Sequence, residues 1–422
     1  METLLHYVWK HKLYDLSPLK TTNNEPVEVI DPGLHNTNAG PDFFNAKIKI
    51  NNRLWAGNVE IHCRSSDWYL HKHEQDKAYN SVILHIIETE NQECISDQNG
   101  RVIPQLILKI PDKIKENYEY LLHREVAIPC GEQIREIPQI YLSDWKNALL
   151  LERLERKTND IESLLKDYSG DWNAVFYVTL ARNFGFGINN DAFERLAKSV
   201  PLKHILRHKN SSLQTEALFF GQTGFLEEEI DDPYFISLKK EYLFLKNKYQ
   251  LQNLEQHLFK SLRIRPNNFP HIKISQLATF SRSIETLFSK ILEVENVKDI
   301  YPFFSLEIPE YWLTHYHFEK ESVKRTKTLG ISAVNLIVIN TISPILIAYG
   351  KKKQQNSIVE KGMQLLSSLP PEKNSITYLF KNTGMEIQNA ADSQAVIQLK
   401  NEYCDKKKCI FCRIGHKVLS KI

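Results

Sequence analysis

The chain has 422 residues, 42% of them hydrophobic and 25% charged, so it can bury sizeable cores and is not a disordered polymer. That length exceeds one ordinary core and implies two or three domains. The net charge of +3 neither demands nor forbids a nucleic-acid partner, and the absence of an uninterrupted run of about eighteen apolar residues argues against a membrane span.

From the N-terminus, Leu4, Leu5, Val8 and Trp9 mark an amphipathic helix over residues 2–13. The same end lacks a signal-peptide apolar region and cleavage site, which implies a cytoplasmic protein. Strands are expected near 27–31, from Gly40 to Ile50, from Leu54 to Cys63 after an Asn51-Asn52 turn, from Ser81 to Ile87, and from Arg101 to Ile110. Residues 111–140, punctuated by Pro111, Pro129 and Pro138, read as a connector. Helical spacing then runs over 141–400, with Ser143 as a plausible N-cap and Leu150, Leu154, Ile161, Leu164 and Leu165 on the apolar face. Its most apolar stretch, Ile331 to Tyr349, is interrupted by Asn335, Asn340, Thr341, Ser343 and Pro344 and reads as a buried helix. Residues 401–422 form a cysteine-rich tail. The fold class is therefore α+β: an N-terminal mixed sheet with flanking helices over 1–110, a large helical region, and a C-terminal metal knot.

Chemistry concentrates between residues 31 and 85. Strand alternation puts Asn58, Glu60 and His62 on one face and Val59, Ile61 and Cys63 on the other. Pairing about Asn51-Asn52 brings Asp42, at the start of the preceding strand, near Ile61 and so near Glu60 and His62. Asp42 and Glu60 can hold a divalent cation, Mg²⁺ or Mn²⁺, which would polarise a phosphoryl oxygen and acidify a bound water. His71, His73, Asp76 and His85 are secondary candidates, with His71 and His73 sharing one side if the segment is extended. A lone histidine in an apolar strand, as at His85, is more often a hydrogen-bonded core residue than a ligand.

Pro41-Asp42 at a strand start, a β-turn, then Glu60-Ile61-His62 resembles the core of PD-(D/E)XK nucleases. The resemblance implies a restriction-endonuclease-like fold, with a metal on Asp42 and Glu60 and DNA as partner. In that family a helical acid sometimes joins the site, and Glu2 is the nearby candidate. This sequence departs from the pattern in placing His62 where the family has lysine; Lys47 lies on the wrong strand face to replace it.

In the tail, Cys404, Cys409, Cys412 and His416 follow a Cys-x4-Cys-x2-Cys-x3-His spacing suited to Zn²⁺ or, as the competitor, an iron–sulfur cluster. Cys130, in Pro129-Cys130-Gly131, is an alternative fourth ligand. In the helical region Arg263 and Arg265 precede the polar turn Pro266-Asn267-Asn268 and could meet nucleic-acid backbone, although an ordinary inter-helix loop has the same composition. Through GPDFFNAKIKI, GNVEIHCRSSDW, RPNNFPHIKISQLA and LKNEYCDKKKCIFCRIG, the whole chain resembles a bacterial family known only as a domain of unknown function. The expectation is a metal-dependent phosphodiesterase, a DNA nuclease in the first instance. The alternative is a non-catalytic nucleic-acid-binding or scaffold protein with a degenerate nuclease fold and structural zinc.

Overall fold

Leu4, Leu5, Val8 and Trp9 are buried on one face of α1 (Glu2–Lys10), as their spacing requires, and α1 packs against the sheet. The computed structural model describes residues 1–14 and 17–421; Asp15, Leu16 and Ile422 lie outside the described residues. Among those residues seven strands form one mixed sheet: β1 (Leu19–Lys20), β2 (Pro26–Asp31), β3 (Leu34–His35), β4 (Phe43–Ile50), β5 (Arg53–Arg64), β6 (Val82–Thr89) and β7 (Gln105–Ile107). The order is β1-β2-β4-β5-β6-β7, with β3 pairing β4. The β2, β4 and β5 strands run antiparallel; β6 and β7 run parallel to β5.

Asn51 and Asn52 both take positive φ, 47° and 63°, the conformation a two-residue hairpin turn demands. The register runs from Ile50 opposite Arg53 to Ala46 opposite Gly57. Asn45, at φ 58°, then inserts a bulge and shifts the pairing by one, so that Phe43 faces Val59. Asp42 is thereby brought opposite Glu60, one residue from the Ile61 that the uninterrupted register implies.

The expected strand from Arg101 to Ile110 shortens to β7. Arg101–Ile103 instead folds back on Ile95–Asp97, because Asp97 accepts from the Asn99 and Arg101 amides and the Ile103 amide bonds the Ile95 carbonyl. The segment read as a connector holds a twelve-residue helix, α3 (Asp112–His123). The long helix α4 (Gln139–Asp167) starts after Pro138, whose carbonyl receives the Tyr141 and Leu142 amides, so Ser143 lies inside the helix and is not its cap.

Two compact units result. The first comprises Met1–Leu142, Asn382–Met385 and Leu399–Ile422, so the cysteine-rich tail returns to the strand-rich unit. The second comprises Ser143–Lys381 and Glu386–Gln398 and is helical. In it the Glu216 carboxylate is buried among the Ser275 hydroxyl, the Tyr234 hydroxyl and the Trp312 indole N–H. Residues 331–353 form one helical run with a π-helical stretch at Val338–Ile342 just before Pro344, whose missing N–H cannot close the regular ladder. By length and composition this run could cross a membrane, but 67% of its apolar window is buried inside the protein.

Candidate metal centre

β5 is buried on both faces at its centre: Val59 and Ile61 on one side, Glu60 and His62 on the other. What covers the polar face is the crossover to β6. Its entry is fixed by Ser65, whose hydroxyl receives the Asn91 and Gln92 amides, and by Asp67, which caps the Arg64 amide. The short helix α2 (Asp67–Leu70) follows, pinned by the Trp68 indole donating to the Ser96 carbonyl at 3.0 Å. His71 ends α2, Lys72 turns left-handed (φ 61°), and His73 opens the next turn. His71 and His73 therefore converge through a tight turn rather than by alternation along an extended segment. Trp68 and Tyr79 wall the site: Tyr79 stacks on His73 at 3.8 Å and the Trp68 ring sits edge-on to His73 and His85.

Ligand atoms of His62, His71 and His73 lie within 4.8 Å of one another. His62 Nε2 is 3.0 Å from His71 Nδ1 and 3.6 Å from Glu60 Oε1; His73 Nε2 is 3.3 Å from the same Glu60 oxygen. That last distance is short, yet the geometry is not that of a hydrogen bond, and His73 Nε2 is a buried nitrogen with no hydrogen-bond partner. Buried polar atoms are normally satisfied, so such a nitrogen beside a carboxylate is the mark expected where a cation belongs.

The tautomer of His62 follows from its neighbours. The Gln105 amide Nε2 donates to the Gln92 and Glu93 carbonyls, which fixes Oε1 as the acceptor facing His85 Nδ1 at 3.4 Å. His85 therefore carries its proton on Nδ1, and its Nε2 accepts from His62 Nδ1–H at 2.9 Å. His62 Nε2 is left as an acceptor, and here it takes the His71 Nδ1–H at 3.0 Å, with Glu60 Oε1 beside it at 3.6 Å. His85, a secondary candidate in the sequence, is thus the relay that orients a ligand.

Charge points the same way. Burial and the nearby Asp42 carboxylate push the Glu60 carboxyl up to about 9. Burial and the surrounding imidazoles, His85 foremost, drive His62 down to about 2. Burial lowers His85 to about 4 and also lowers His73. The Glu60 carboxyl is thus held protonated among neutral imidazoles at pH 7, and a cation would supply the positive charge that lets it ionise.

Asp42 sits behind this group. Its amide donates to Glu60 Oε2 at 3.1 Å, and its Oδ2 accepts from the Ile61 amide at 2.9 Å. His6 on α1, overlooked in the sequence, brings Nε2 to 3.4 Å from Asp42 Oδ2. Burial opposes charging His6, but the Asp42 carboxylate outweighs it and raises its basicity. The one sequence signal for His6 is its position four residues after Glu2 on the same helix face; the Glu2 charge acts on both His6 and Glu60. Gln105 had no sequence signal.

Other candidates lie elsewhere. Asp76 is exposed and caps the Lys77–Ser81 turn through the Ala78 amide. Lys47 is exposed, and the bulge at Asn45 reverses the strand parity that set it on the face away from Asp42. Arg263 and Arg265 are exposed on a loop of the helical unit. His416 is not directed at the tail cysteines: its Nδ1 pairs with the Tyr7 hydroxyl at 2.8 Å and its ring lies 4.5 Å from that of His11. Three imidazoles and one carboxylate are a donor set that would suit Zn²⁺, Mn²⁺ or Fe²⁺; of the Mg²⁺ or Mn²⁺ expected from Asp42 and Glu60, Mn²⁺ is the one that accepts imidazole nitrogen more readily.

The chain belongs to the family described as protein of unknown function (DUF2851), which it matches over residues 2–375. No curated protein and no solved structure matches it.

Proposed function

We propose that this member of the family is a metal-dependent phosphodiesterase with DNA as its substrate class. The observation carrying this reading is the convergence of His62, His71 and His73 beside the buried Glu60 carboxylate, with the His62 lone pair fixed inward by His85 and Gln105. His71 is exposed, so the centre opens to solvent on one side, as a catalytic rather than a closed structural site requires. The order of elements also supports it: α1, antiparallel β2, β4 and β5, a short helical crossover, then parallel β6. That order follows the plan implied by the resemblance to PD-(D/E)XK nucleases.

A bound transition-metal ion would polarise a phosphoryl oxygen and acidify a coordinated water. Glu60, His62, His71 and His73 would hold it. Asp42 orients Glu60 through its own amide and fixes the strand through the Ile61 amide. His6, beside Asp42, is the basic group placed to accept a proton, a task the family's lysine position cannot perform here because His62 serves as a ligand.

The test is cleavage of labelled DNA and of a chromogenic phosphodiester with Mn²⁺ or Zn²⁺, comparing wild type with Glu60→Gln, His62→Ala and Asp42→Ala. Loss of turnover in Glu60→Gln and His62→Ala is expected; equal activity in all four proteins would sink the assignment. The histidine at the family's lysine position favours one second reading, a non-catalytic nucleic-acid-binding protein, which salt-dependent DNA binding without turnover would identify.

A further inference from the structure

The tail folds as a succession of tight turns. The Lys407 amide bonds the Cys404 carbonyl at 3.1 Å, Lys407 itself taking a left-handed φ of 50°, and the Cys412 amide bonds the Cys409 carbonyl at 3.2 Å. Cys412 then heads the helix Arg413–Leu419. That helix lies directly on the Cys409 backbone: a Cβ at Gly415 would come 2.0 Å from the Cys409 carbonyl oxygen, so only glycine permits the approach. Three cysteines are thus gathered by backbone geometry within nine residues of chain, from Cys404 to Cys412.

The fourth comes from the segment after α3. Cys130, whose carbonyl receives the Gln133 amide, is 9% exposed and Cys412 7%. The Lys407 ammonium donates to the Leu122 carbonyl at 2.6 Å and the Asn117 amide to the Val418 carbonyl at 3.2 Å, which seats the tail on α3, just ahead of the segment that carries Cys130. Two buried and two half-buried sulfurs in one unit, three of them at Cys-x4-Cys-x2-Cys spacing, are a donor set suited to one soft cation.

We propose that Cys130, Cys404, Cys409 and Cys412 form a four-thiolate metal centre that fastens the returning tail to the strand-rich unit. His416, occupied by Tyr7 and His11, takes no part. Zn²⁺ is the occupant that needs nothing beyond these four ligands; an iron–sulfur cluster would use the same set.

The experiment is metal analysis of the purified full-length protein before and after a thiol-specific mercurial, in wild type and in Glu60→Gln, so that the outcome does not depend on the N-terminal centre. The expected result is mercurial-released zinc at about one per chain, or iron with acid-labile sulfide, in both proteins. In the undisturbed protein, thiol titration should reach Cys63 and Cys94 while sparing the other four. Cys130→Ser should lose the released metal and His416→Ala should keep it. Protein in which all six thiols react without releasing metal would overturn the proposal. So would cysteines paired as disulfides, or metal kept by Cys130→Ser and lost from His416→Ala.

Discussion

Changing pH tests the Glu60 centre quantitatively. The Glu60 carboxyl, ordinarily near 4.5, is raised to about 9 by burial and Asp42, so at pH 7 it holds a proton that must leave before it can bind a cation. His62 and His73, with basicity lowered by burial, carry no proton to displace above pH 7. Metal affinity should therefore rise about tenfold per pH unit from pH 7 to about 9, a gain of about 100-fold or roughly 2.7 kcal/mol. Competition against a chromophoric chelator for Zn²⁺ or Mn²⁺ measures the slope, and calorimetry in buffers of different ionisation enthalpy should register about one proton released at pH 7. Glu60→Gln should bind more weakly and lose this part of the slope. The sign for folding is opposite: the metal-free protein gains stability from this group below pH 4.5 and loses it as pH climbs towards 9, at up to about 1.4 kcal/mol per unit. An affinity equal at pH 7 and pH 9 in wild type, or the same slope in Glu60→Gln, would refute the reasoning.

Three further substitutions examine the supports. Gln105→Leu removes the acceptor that sets the His85–His62 relay and should weaken metal binding about 10–100-fold, measured by the same competition. Lys72→Gly should be tolerated or stabilise the fold by up to about 1 kcal/mol in urea denaturation, whereas Lys72→Val should destabilise it, because residue 72 holds a left-handed φ of 61°. Gly415→Ala should drive the C-terminal helix off the Cys409 backbone and increase thiol reactivity in the tail without altering metal at Glu60.

Much of the strand-rich unit was legible because its signals are local. Alternation marked β4 and β5, and Asn51-Asn52 marked their turn. The density of Asp, Asn and His marked the crossover that covers Glu60 and His62. What escaped depends on tertiary convergence. The bulge at Asn45 changes which residue faces Asp42, yet an asparagine in a strand carries no unique signature. The left-handed Lys72 aims His71 and His73 at one point, and no propensity favours that backbone for lysine. His6 and Gln105 reach the site from α1 and β7, elements distant in sequence from residues 58–73. The helix α3 was masked by the prolines on either side of it, and the return of the tail to the first unit was foreshadowed only by the spare cysteine at position 130.

The most direct measurement is anomalous X-ray scattering from crystals grown with Mn²⁺ or Zn²⁺. A peak about 2.0–2.2 Å from Glu60 Oε1, His62 Nε2, His71 Nδ1 and His73 Nε2 is the predicted result. A well-ordered cluster whose imidazoles bond one another with no metal peak between them, at saturating metal, would contradict the account.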